Sequence, residues 1–482
     1  MTELTAKQRA AIPRQEMPTQ HPLVRRANFD EVALGFTPQL ALREADRCLG
    51  CPKSPCVDGC PVGVPIPEFI AAVRAGDMPG AVRAMKSKNS LPSICGRVCP
   101  QESQCEARCP LGKKGDPVAI GRLERYVGDW ELREHTCEPE RRPVTGHRVA
   151  VVGSGPSGLT CAADLAADGH DVTIYEALHA PGGVLVYGIP EFRLPKTLIQ
   201  AEIDVAVQGL GITIRSDHII GRTITLTELL AEYDAVFLGT GAGLPSFMPI
   251  PGTDLNGVMS ANELLTRVNL MRGYLFPEYD TPVKIGDRVA VIGAGNVAMD
   301  AARCCLRLQS QRNVYNGVPM GEVHIVYRRS AAEVPARAEE AHHAAEEGII
   351  FDYLTQPTAV LGDERGAVRA LRCVRMALGE PDESGRRTPM PAPGSEFELP
   401  VDTVIFALGT NPNPLVFHEA SVQRSRHGTV VDHGPSGRTS MERVWAGGDV
   451  VTGAATVISA MGAGKRAAAD IDAYLHAGAG GW

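Results

Sequence analysis

Two stretches of the chain repeat each other without a gap, and this repeat limits the folds that the sequence can adopt. Residues 147–159, HRVAVVGSGPSGL, align with residues 287–299, DRVAVIGAGNVAM, at an offset of 140 positions. Each copy has an apolar run typical of a strand, a glycine-rich turn and the start of a helix of small residues. Elements in this order open a nucleotide-binding βαβ unit. The repeat therefore predicts two such units in one α/β chain.

The first copy carries the full spacing Gly153-x-Gly155-x-x-Gly158. The first glycine permits the tight turn, the second lets a pyrophosphate approach the backbone, and the third lets helix and strand pack closely. The next strand, DVTIYE, ends about twenty residues on at Glu176, where a carboxylate can accept from a ribose hydroxyl. Because the adenosine ribose of FAD carries no 2′-phosphate, we predict FAD here. The alternative is a structural turn without a ligand.

The second copy has Gly293-x-Gly295 with Ala298 in the third position, an accepted variant of the same turn. The strand that follows, EVHIVYRRS, ends in Arg328 and Arg329 instead of an acid. A carboxylate there would repel a 2′-phosphate, whereas guanidinium groups can pair with it in bidentate fashion. This favours NADPH over NAD. The alternative is that the two arginines only solvate the end of a strand.

The rest of the chain divides around these two units. Residues 1–145 show clustered cysteines and helical patterns without a strand pattern, and the stretch EPERRPVTGHR is typical of a linker. Late in the chain, AGGDV places Asp449 near a helix predicted to begin around Gly453, whose positive end would face a reduced flavin. We predict an α/β fold with two Rossmann-like domains behind a helical iron–sulfur domain. The predicted ranges are 1–145 for the helical domain, 146–280 and 406–482 for the two parts of the FAD domain, and 281–405 for the NADPH domain.

Charge and hydropathy exclude several classes of partner. A net charge of −8 gives no reason to expect nucleic acid or an anionic membrane as a partner. No apolar run reaches the roughly 18–20 residues of a membrane span, and the polar N-terminus has no apolar core of the kind that a signal peptide needs. We therefore expect a cytoplasmic protein. Since thiols stay reduced in the cytoplasm, its cysteines are expected to bind metal or carry redox chemistry rather than form disulfides.

Eight of the 13 cysteines fall into two sets between residues 48 and 109, with the spacings C-x2-C-x4-C-x3-C and C-x3-C-x5-C-x3-C. Zinc sites usually show paired C-x2-C knuckles, which these spacings lack. Iron–sulfur clusters take four ligands each, often three close in sequence and one remote. We predict two [4Fe–4S] clusters, with zinc and a purely structural role as the alternatives. The eight residues are Cys48, Cys51, Cys56, Cys60, Cys95, Cys99, Cys105 and Cys109.

The other cysteines are predicted to be structural. Cys161, Cys304 and Cys305 lie in Ala-rich helical patterns and are expected in the core. Cys373 is placed in a strand and Cys137 in the linker, and no C-x-x-C accompanies the FAD unit, which argues against a disulfide reductase. The pair His342 and His343 lies in the acidic stretch RAEEAHHAAEEG, which is predicted to be a solvated helix face.

The two cysteine sets, GSGPSG with its acid, GAGNVAMD with its arginine pair, and AGGDV together resemble the small (β) subunit of NADPH-dependent glutamate synthase. The resemblance covers essentially the whole chain, and dihydropyrimidine dehydrogenase has the same module. It implies that electrons pass from NADPH through FAD and two [4Fe–4S] clusters to a large (α) subunit that makes L-glutamate from L-glutamine and 2-oxoglutarate. Because the hydride passes between cofactors, no catalytic side chain is expected. The alternatives are another acceptor, such as a pyrimidine dehydrogenase or a ferredoxin, and a zinc-containing scaffold subunit.

The resemblance also implies a crossed set of cluster ligands. In the dehydrogenase module an I-G-x-L-Q segment supplies a non-cysteine ligand, and the matching AIGRLER places Glu124 there. One cluster would then be held by Cys48, Cys51, Cys56 and Cys109, and the other by Cys60, Cys99, Cys105 and Glu124, with Cys95 spare; eight cysteine ligands remain the alternative. The predicted cofactor contacts are Gly153, Gly155, Pro156, Ser157, Gly158, Glu176, Gly183, Arg193, Gly448, Asp449 and Thr456 for the first unit, and Gly293, Gly295, Asn296, Val297, Arg328 and Arg329 for the second.

Overall fold

The N-terminal part of the chain is helical. The computed structural model describes residues 4–134, 140–316, 321–383, 385–418 and 421–477, and the first of these ranges contains no β-strand. Sequence signals set the ends of its helices: Thr37 accepts from the N–H of Leu40 at the start of one helix, and Gly76, with a φ of 75°, closes another. The helices are α1 (Ala6–Ala11), α2 (Pro22–Arg25), α3 (Pro38–Ala45), α4 (Pro55–Asp58), α5 (Ile66–Ala75), α6 (Met78–Lys86), α7 (Pro92–Val98) and α8 (Ile120–Glu134).

Strands and helices then alternate to the end of the described chain, which is the pattern of an α/β fold. In chain order they are β1 (Arg148–Val152), α9 (Pro156–Ala167), β2 (Asp171–Tyr175), α10 (Val184–Tyr187), α11 (Lys196–Gln208), β3 (Thr213–Arg215), α12 (Leu226–Glu232), β4 (Ala235–Leu238), β5 (Leu244–Pro245), β6 (Val258–Ser260), α13 (Ala261–Leu265), β7 (Arg288–Ile292), α14 (Asn296–Asn316), β8 (Glu322–Val326), α15 (Ala338–Glu347), β9 (Ile350–Asp352), β10 (Thr355–Gly362), β11 (Val368–Pro381), β12 (Arg387–Pro391), β13 (Phe397–Pro400), β14 (Thr403–Phe406), β15 (Thr410–Asn411), β16 (Val444–Ala446), α16 (Asp449–Thr452) and α17 (Val457–Ala477).

The two copies of the repeat build two parallel sheets of the same design. The first sheet has the order β16-β4-β1-β2-β3, and the second has the order β6-β14-β7-β8-β9. All pairs in both sheets are parallel, and each repeat strand lies at the centre of its sheet. The central strands are buried along most of their length, as expected for parallel sheets covered on both faces. The predicted fold class is confirmed.

An antiparallel sheet of β10, β11, β12 and β13 is an addition that the sequence analysis did not predict. It follows β9 in the chain, and its core residues, among them Leu371 and Cys373, pack with Ile292 and Phe406 of the second parallel sheet. The predicted domain ranges stay a prediction. Strand β6, which lies inside the predicted range 146–280, forms its hydrogen bonds in the second sheet.

The chain passes between the two parallel sheets through a pair of neighbouring strands. Strand β5 leaves the first unit and β15 returns to it, and the two pair antiparallel with Leu244 opposite Asn411. The side chain of Asn411 also donates to the hydroxyl of Ser246 at 3.0 Å. The outgoing and returning segments therefore lie side by side.

Helices α14 and α17 have 21 residues each and are the longest in the described chain. Helix α17 begins at Val457, not around Gly453 as predicted. Gly453 has a φ of 74° and separates it from the short α16, and the hydroxyl of Thr456 accepts from the N–H of Ser459 at its start. Within the described ranges, no helix is both long enough and apolar enough to cross a membrane.

Candidate dinucleotide and iron–sulfur sites

The first glycine turn joins β1 to α9 at the carboxyl edge of the first sheet. Gly153 has a φ of 98°, and a Cβ there would lie 2.5 Å from the carbonyl oxygen of Gly239. A Cβ at Gly158 would lie 1.9 Å from the carbonyl oxygen of Gly153. Gly155 differs, because its backbone is extended and no protein atom lies within 4 Å of a Cβ built on it. The protein's own packing therefore explains two of the three glycines, and the open space at Gly155 fits a group that approaches the N-terminus of α9.

Glu176 follows β2 and faces this turn. Its Oε2 accepts from the backbone N–H and the hydroxyl of Ser154 at 2.9 and 2.5 Å, and its Oε1 accepts from the N–H of Leu178 at 2.8 Å. A carboxylate has about four acceptor positions, so one remains for a ribose hydroxyl. Close to the turn, the hydroxyl of Thr240 is buried and has no hydrogen-bond partner in the part of the chain that the structure describes. Because buried hydroxyls normally have a hydrogen-bond partner, a polar atom of a bound ligand would satisfy this one.

Strand β16 brings a second glycine turn to the same edge. A Cβ at Gly448 would lie 2.9 Å from the hydroxyl of Ser157, and one at Gly183 would lie 2.9 Å from the Cα of Gly155. Asp449 begins α16, and burial raises its pKa to about 6, although its carboxylate accepts from a backbone N–H. The structure thus brings the turn at 153–158, Gly183 and Gly448–Asp449 together, with Pro156 and Ser157 in the first turn of α9. That these residues contact FAD stays a prediction, as it does for Thr456 at the start of α17.

Arg193 forms ion pairs with two carboxylates of the second unit. Its Nη1 donates to both carboxylate oxygens of Asp300 at 2.8 and 2.7 Å, and its Nε lies 3.1 Å from Oε2 of Glu340. Only 7% of its side chain is exposed. These contacts place Arg193 where the two units meet, and that it binds a cofactor stays a prediction.

The second glycine turn has the geometry of the first. Gly293 has a φ of 128°, and a Cβ there would lie 2.4 Å from the carbonyl oxygen of Ala407, whereas a Cβ at Gly295 would meet no atom within 4 Å. At the start of α14, Asn296 accepts from the N–H of Arg337 at 2.9 Å, and Val297 leaves 41% of its surface exposed. An open glycine beside an exposed apolar side chain fits a dinucleotide at this helix N-terminus.

The two arginines after β8 have different surroundings. Arg329 is buried, and its guanidinium donates to Asp382 at 2.6 Å and to the carbonyl of Arg387 at 2.8 Å. Arg328 is exposed and makes no hydrogen bond or ion pair with any described residue. That both bind a 2′-phosphate stays a prediction, and Arg328 is the residue whose guanidinium is accessible.

The cysteines form two groups in space that cross the two sets in sequence. The side chains of Cys48, Cys51, Cys56 and Cys109 line one small pocket together with apolar residues such as Ile66 and Ile120. Burial raises the pKa of Cys56 to about 12, and the neighbouring Cys48 and Cys109 add to this shift. Such thiols bind as thiolates only when a metal displaces their protons.

The other four cysteines surround Glu124. Burial raises the pKa of Cys60 and of Cys105, and the nearby Glu124 and Cys99 raise both further. Glu124 accepts from the side-chain amide of Asn89 at 2.8 Å, and burial raises its pKa to about 7. Cys95 lies next to Cys99 with its sulfur 3.5 Å from that of Met461. The grouping in space follows the crossed arrangement, while the choice of ligand atoms stays a prediction.

Among the described residues, these sulfur atoms are not gathered as closely as the ligands of a single zinc ion. Tetrahedral zinc with Zn–S bonds of about 2.3 Å brings its sulfur ligands to about 3.8 Å from one another. In the described chain, no three of these cysteine sulfurs and carboxylate oxygens lie within 4.8 Å of one another. The ligands of a four-iron cluster bind different iron atoms and stand farther apart. The twelve cysteines that the structure describes form no disulfide, and Cys137 lies outside the described residues.

The remaining described cysteines are buried as predicted, but the acidic helix is less exposed than predicted. Cys161, Cys304, Cys305 and Cys373 are all fully buried. In α15, His342 is exposed as predicted, whereas His343 and the two carboxylates of Glu340 and Glu347 are buried. The prediction of a solvated face is wrong for these three residues because α15 packs on α14.

Ion pairs with buried arginines explain why the acidic side chains of α15 are buried. Glu347 accepts from Arg303 and Arg307 of α14 at 2.7 Å and from Arg25 of α2 at 3.0 Å. Burial alone would raise the pKa of Glu347, but the neighbouring Arg303 and the hydrogen bond from Arg307 outweigh burial and hold it below its usual range. The guanidinium carbon of Arg307 also lies 3.9 Å from the ring centre of Phe192, which follows α10. The network joins the N-terminal helical part, the first unit and the second unit. Its only local signal in the sequence is the pair Arg303 and Arg307, four residues apart in a helix of small residues.

Known families match both parts of this architecture. The family model described as pyridine nucleotide-disulphide oxidoreductase matches residues 147–464. The chain belongs to this family. A second model, described as dihydropyrimidine dehydrogenase domain II, 4Fe-4S cluster, matches residues 25–136. The protein is thus an oxidoreductase that uses FAD and NADP and has a 4Fe–4S domain ahead of its two nucleotide-binding units.

Relatives of this oxidoreductase bear different names. It is 38% identical over 454 residues to the NADP(+)-dependent formate dehydrogenase subunit beta of Moorella thermoacetica, covering 88% of this chain and 60% of that one. It is 36% identical over 466 residues to the NADPH glutamate synthase small chain of Halomonas elongata, covering 95% and 96%. Mycobacterium tuberculosis FprA in complex with NADPH superposes with a TM-score of 0.58 at 21% identity over 70% of this chain and 85% of that one, which shows the shared fold. The chain spans about three fifths of the length of the formate dehydrogenase subunit.

Proposed function

We propose that this chain is the electron-input subunit of a glutamate synthase. It would take electrons from NADPH and pass them to a large subunit that makes L-glutamate from L-glutamine and 2-oxoglutarate. The observation that carries the proposal is the match to a glutamate synthase small chain, in which 96% of that relative's length has a counterpart here. The proposal assigns NADPH, FAD and two clusters to the ranges 281–405, 146–280 with 406–482, and 1–145.

The proposed role of the two glycine turns is to hold the cofactors in position for transfer. When bound, FAD would accept a hydride from NADPH and release electrons singly to iron–sulfur clusters. The open backbone at Gly155 and the N-terminus of α9 would receive one pyrophosphate, and Gly295 with the N-terminus of α14 would receive the other. Glu176 would accept from the ribose of FAD, and Arg328 would pair with the 2′-phosphate of NADPH.

The proposed route continues through the two cysteine groups. Cys48, Cys51, Cys56 and Cys109 would hold one cluster, because these four side chains line one pocket. Cys60, Cys99, Cys105 and Glu124 would hold the other. Two four-iron clusters require about eight iron and eight labile sulfide per chain in anaerobically purified protein. Stoichiometric zinc without sulfide would exclude both clusters.

The two candidate ligands of the second cluster can be compared directly. If Glu124 is a ligand and Cys95 is spare, Cys95→Ser keeps the full iron content and Glu124→Ala loses part of it. The two variants serve as controls for each other, because Cys95 and Glu124 are both buried in the same group. Loss of iron in Cys95→Ser together with full iron in Glu124→Ala would support the all-cysteine alternative.

A second candidate function is electron input to a different acceptor. The observation that favours it is the formate dehydrogenase subunit, whose identity of 38% over 454 residues is slightly above that of the glutamate synthase small chain. Under this proposal the cofactors and their residues keep the same roles. The difference lies in the partner, which would be a formate, pyrimidine or ferredoxin system instead of a glutamate-forming subunit.

The experiment that separates the two candidates is reconstitution with the large subunit of a glutamate synthase from the same cell. We expect the isolated chain to reduce an artificial dye with NADPH and to form no glutamate, and the complex to form glutamate from glutamine and 2-oxoglutarate. Cys51→Ser should keep dye reduction and stop glutamate formation, with binding of the partner measured alongside. Ser103→Ala, an exposed change in the same helical domain, is the control. A complex that binds but forms no glutamate, while NADPH drives formate-linked turnover or ferredoxin reduction, would favour the second candidate.

A further inference from the structure

Two histidines and an aspartate meet between the first unit and the C-terminal helix. Nε2 of His170, in the turn between α9 and β2, lies 2.9 Å from Oδ1 of Asp472 in α17. One turn further along α17, Nδ1 of His476 lies 3.2 Å from the same oxygen and 2.9 Å from the backbone carbonyl oxygen of Asp472, a hydrogen bond that a metal ion would replace. One ligand atom from each of the three side chains lies within 4.8 Å of the other two. None of these residues takes part in the cofactor sites described above.

The distances match the edges of a small coordination polyhedron. A tetrahedral zinc ion with bonds of about 2.0–2.1 Å to nitrogen and oxygen separates its ligand atoms by about 3.3 Å. The two separations from Asp472, 2.9 and 3.2 Å, are close to this value. His476 exposes 59% of its side chain, so the remaining position of a tetrahedron would open to water.

The buried histidine has the outer contact that metal-binding histidines usually make. Nδ1 of His170 lies 2.8 Å from the hydroxyl of Thr145. With a metal ion in place of the hydrogen bond between Nε2 and Asp472, Nδ1 would carry the proton and donate to this hydroxyl. Thr145 is itself fixed, because its N–H donates to the carbonyl of Gly169 at 3.0 Å. The side chain of His170 is 0% exposed, which places its ring in a single orientation.

The second half of the site is unlike an ordinary surface pair. Helix α15 contains a histidine and a carboxylate with the same spacing of four residues, since Nε2 of His342 lies 3.3 Å from Glu346. That pair has no third ligand atom close by in the described chain, and its Glu346 accepts from the guanidinium of Arg25 at 2.6 Å. The pair in α17 differs by the addition of a buried, oriented imidazole from another element.

We propose that His170, Asp472 and His476 bind one divalent metal ion of the zinc class. Two imidazole nitrogens and one carboxylate oxygen suit Zn²⁺, Co²⁺ or Ni²⁺ better than Mg²⁺ or Ca²⁺, which prefer oxygen ligands. The ion would join the turn of His170 to helix α17, and the hydrogen bond between Thr145 and His170 would connect the segment at residue 145 to the same site. It would therefore hold the C-terminal helix and the segment that follows the helical domain against the first unit. The site is independent of the proposed electron route.

Metal content of the holoprotein tests the proposal. Protein purified with its FAD and iron is treated with EDTA, dialysed against Zn²⁺, and analysed for zinc and iron together. We expect one zinc per chain beyond that of Asp472→Asn and His476→Ala at equal iron and FAD content. Thr145→Val should bind zinc about ten- to a hundredfold more weakly. His342→Ala, the matched pair without a third ligand, should bind as the unaltered protein does.

A second measurement covers variants that fold poorly. Zinc should raise the midpoint of thermal unfolding of the unaltered protein and of His342→Ala, and should leave that of His476→Ala unchanged. The change at His476 is made on a half-exposed side chain, so it removes a ligand without opening the core. Equal zinc content in the unaltered protein and in Asp472→Asn, or an equal rise in midpoint in His476→Ala, would overturn the proposal.

Discussion

Removal of the exposed guanidinium of Arg328 tests how the second unit would select NADPH. In the described part of the chain Arg328 makes no hydrogen bond or ion pair, whereas Arg329 is 6% exposed and donates to Asp382 and to the carbonyl of Arg387. Arg328→Ala therefore takes no stabilising contact from the protein itself. Any change that it causes in nucleotide affinity reports on the ligand.

The size of the effect follows from the charge of the 2′-phosphate. A hydrogen bond to a charged group contributes roughly 1.5–3 kcal/mol, and each 1.4 kcal/mol is about a factor of ten in affinity. We therefore expect Arg328→Ala to raise the Kd of NADPH by about ten- to a hundredfold. The Kd of NADH and the midpoint of thermal unfolding should not change. Dye reduction with each nucleotide gives the two KM values, and titration of the protein with NADP⁺ and with NAD⁺ gives the Kd values of the two oxidised nucleotides, which differ in the same 2′-phosphate.

Arg329→Ala is the matched control for this experiment. It removes an ion pair at 2.6 Å from a buried side chain, so it should lower the unfolding midpoint and affect both nucleotides alike. The reasoning would be refuted if Arg328→Ala weakened NADH as much as NADPH. It would also be refuted if selectivity for NADPH were lost in Arg329→Ala and kept in Arg328→Ala.

Three further predictions concern the first unit, the network between units and the pH dependence of stability. Gly155→Ala should lower the FAD content per chain, measured by absorbance, without lowering the unfolding midpoint of the apoprotein, because no protein atom lies within 4 Å of the new Cβ; a less stable apoprotein would contradict this. Glu347→Ala leaves the buried Arg307 without an ion pair, while Arg303 keeps Glu340 and Arg25 keeps Glu346; it should cost about 3–5 kcal/mol in urea unfolding, so a loss below about 1 kcal/mol would count against the network. Burial raises the pKa of Glu202 to about 8, so the folded state binds a proton that the unfolded state releases near pH 4.3. Stability should fall as the pH rises from about 5 to 8, and Glu202→Gln should flatten thermal midpoints over that range.

The parts of the structure that could be predicted are those that the sequence encodes locally. A strand, a glycine turn and the start of a helix occupy thirteen consecutive residues in each repeat, so the two parallel sheets and the fold class could be predicted. The crossed cysteine groups were not readable from spacing, because Cys60 lies with Cys99 and Cys105 while Cys109 lies with the first set. That arrangement depends on how the short helices between residues 48 and 120 pack, and only the resemblance to a known family suggested it.

The burial of the charged side chains of α15 depends on ion pairs between residues that are distant in sequence. The carboxylate of Glu347 pairs with Arg25, which is 322 positions away, and with Arg303, which is 44 positions away. An acidic, alanine-rich helix looks solvated when its partners are that distant in sequence. The ion pairs of Arg193 with Asp300 and Glu340 also cross from one unit to the other. No periodicity in the local sequence reports such pairs.

The side-by-side passage of β5 and β15 has a consequence for the history of the chain. Residues 245 and 410 face each other across paired strands that are about 4.8 Å apart, so the chain leaves the first unit and returns to it at neighbouring positions. A copy of the ancestral gene segment that entered at one exposed turn would produce this nested architecture in a single step. It would leave the host sheet uninterrupted and both cut ends already paired. The gapless repeat at residues 147 and 287 is the trace that such a duplication would leave in the sequence.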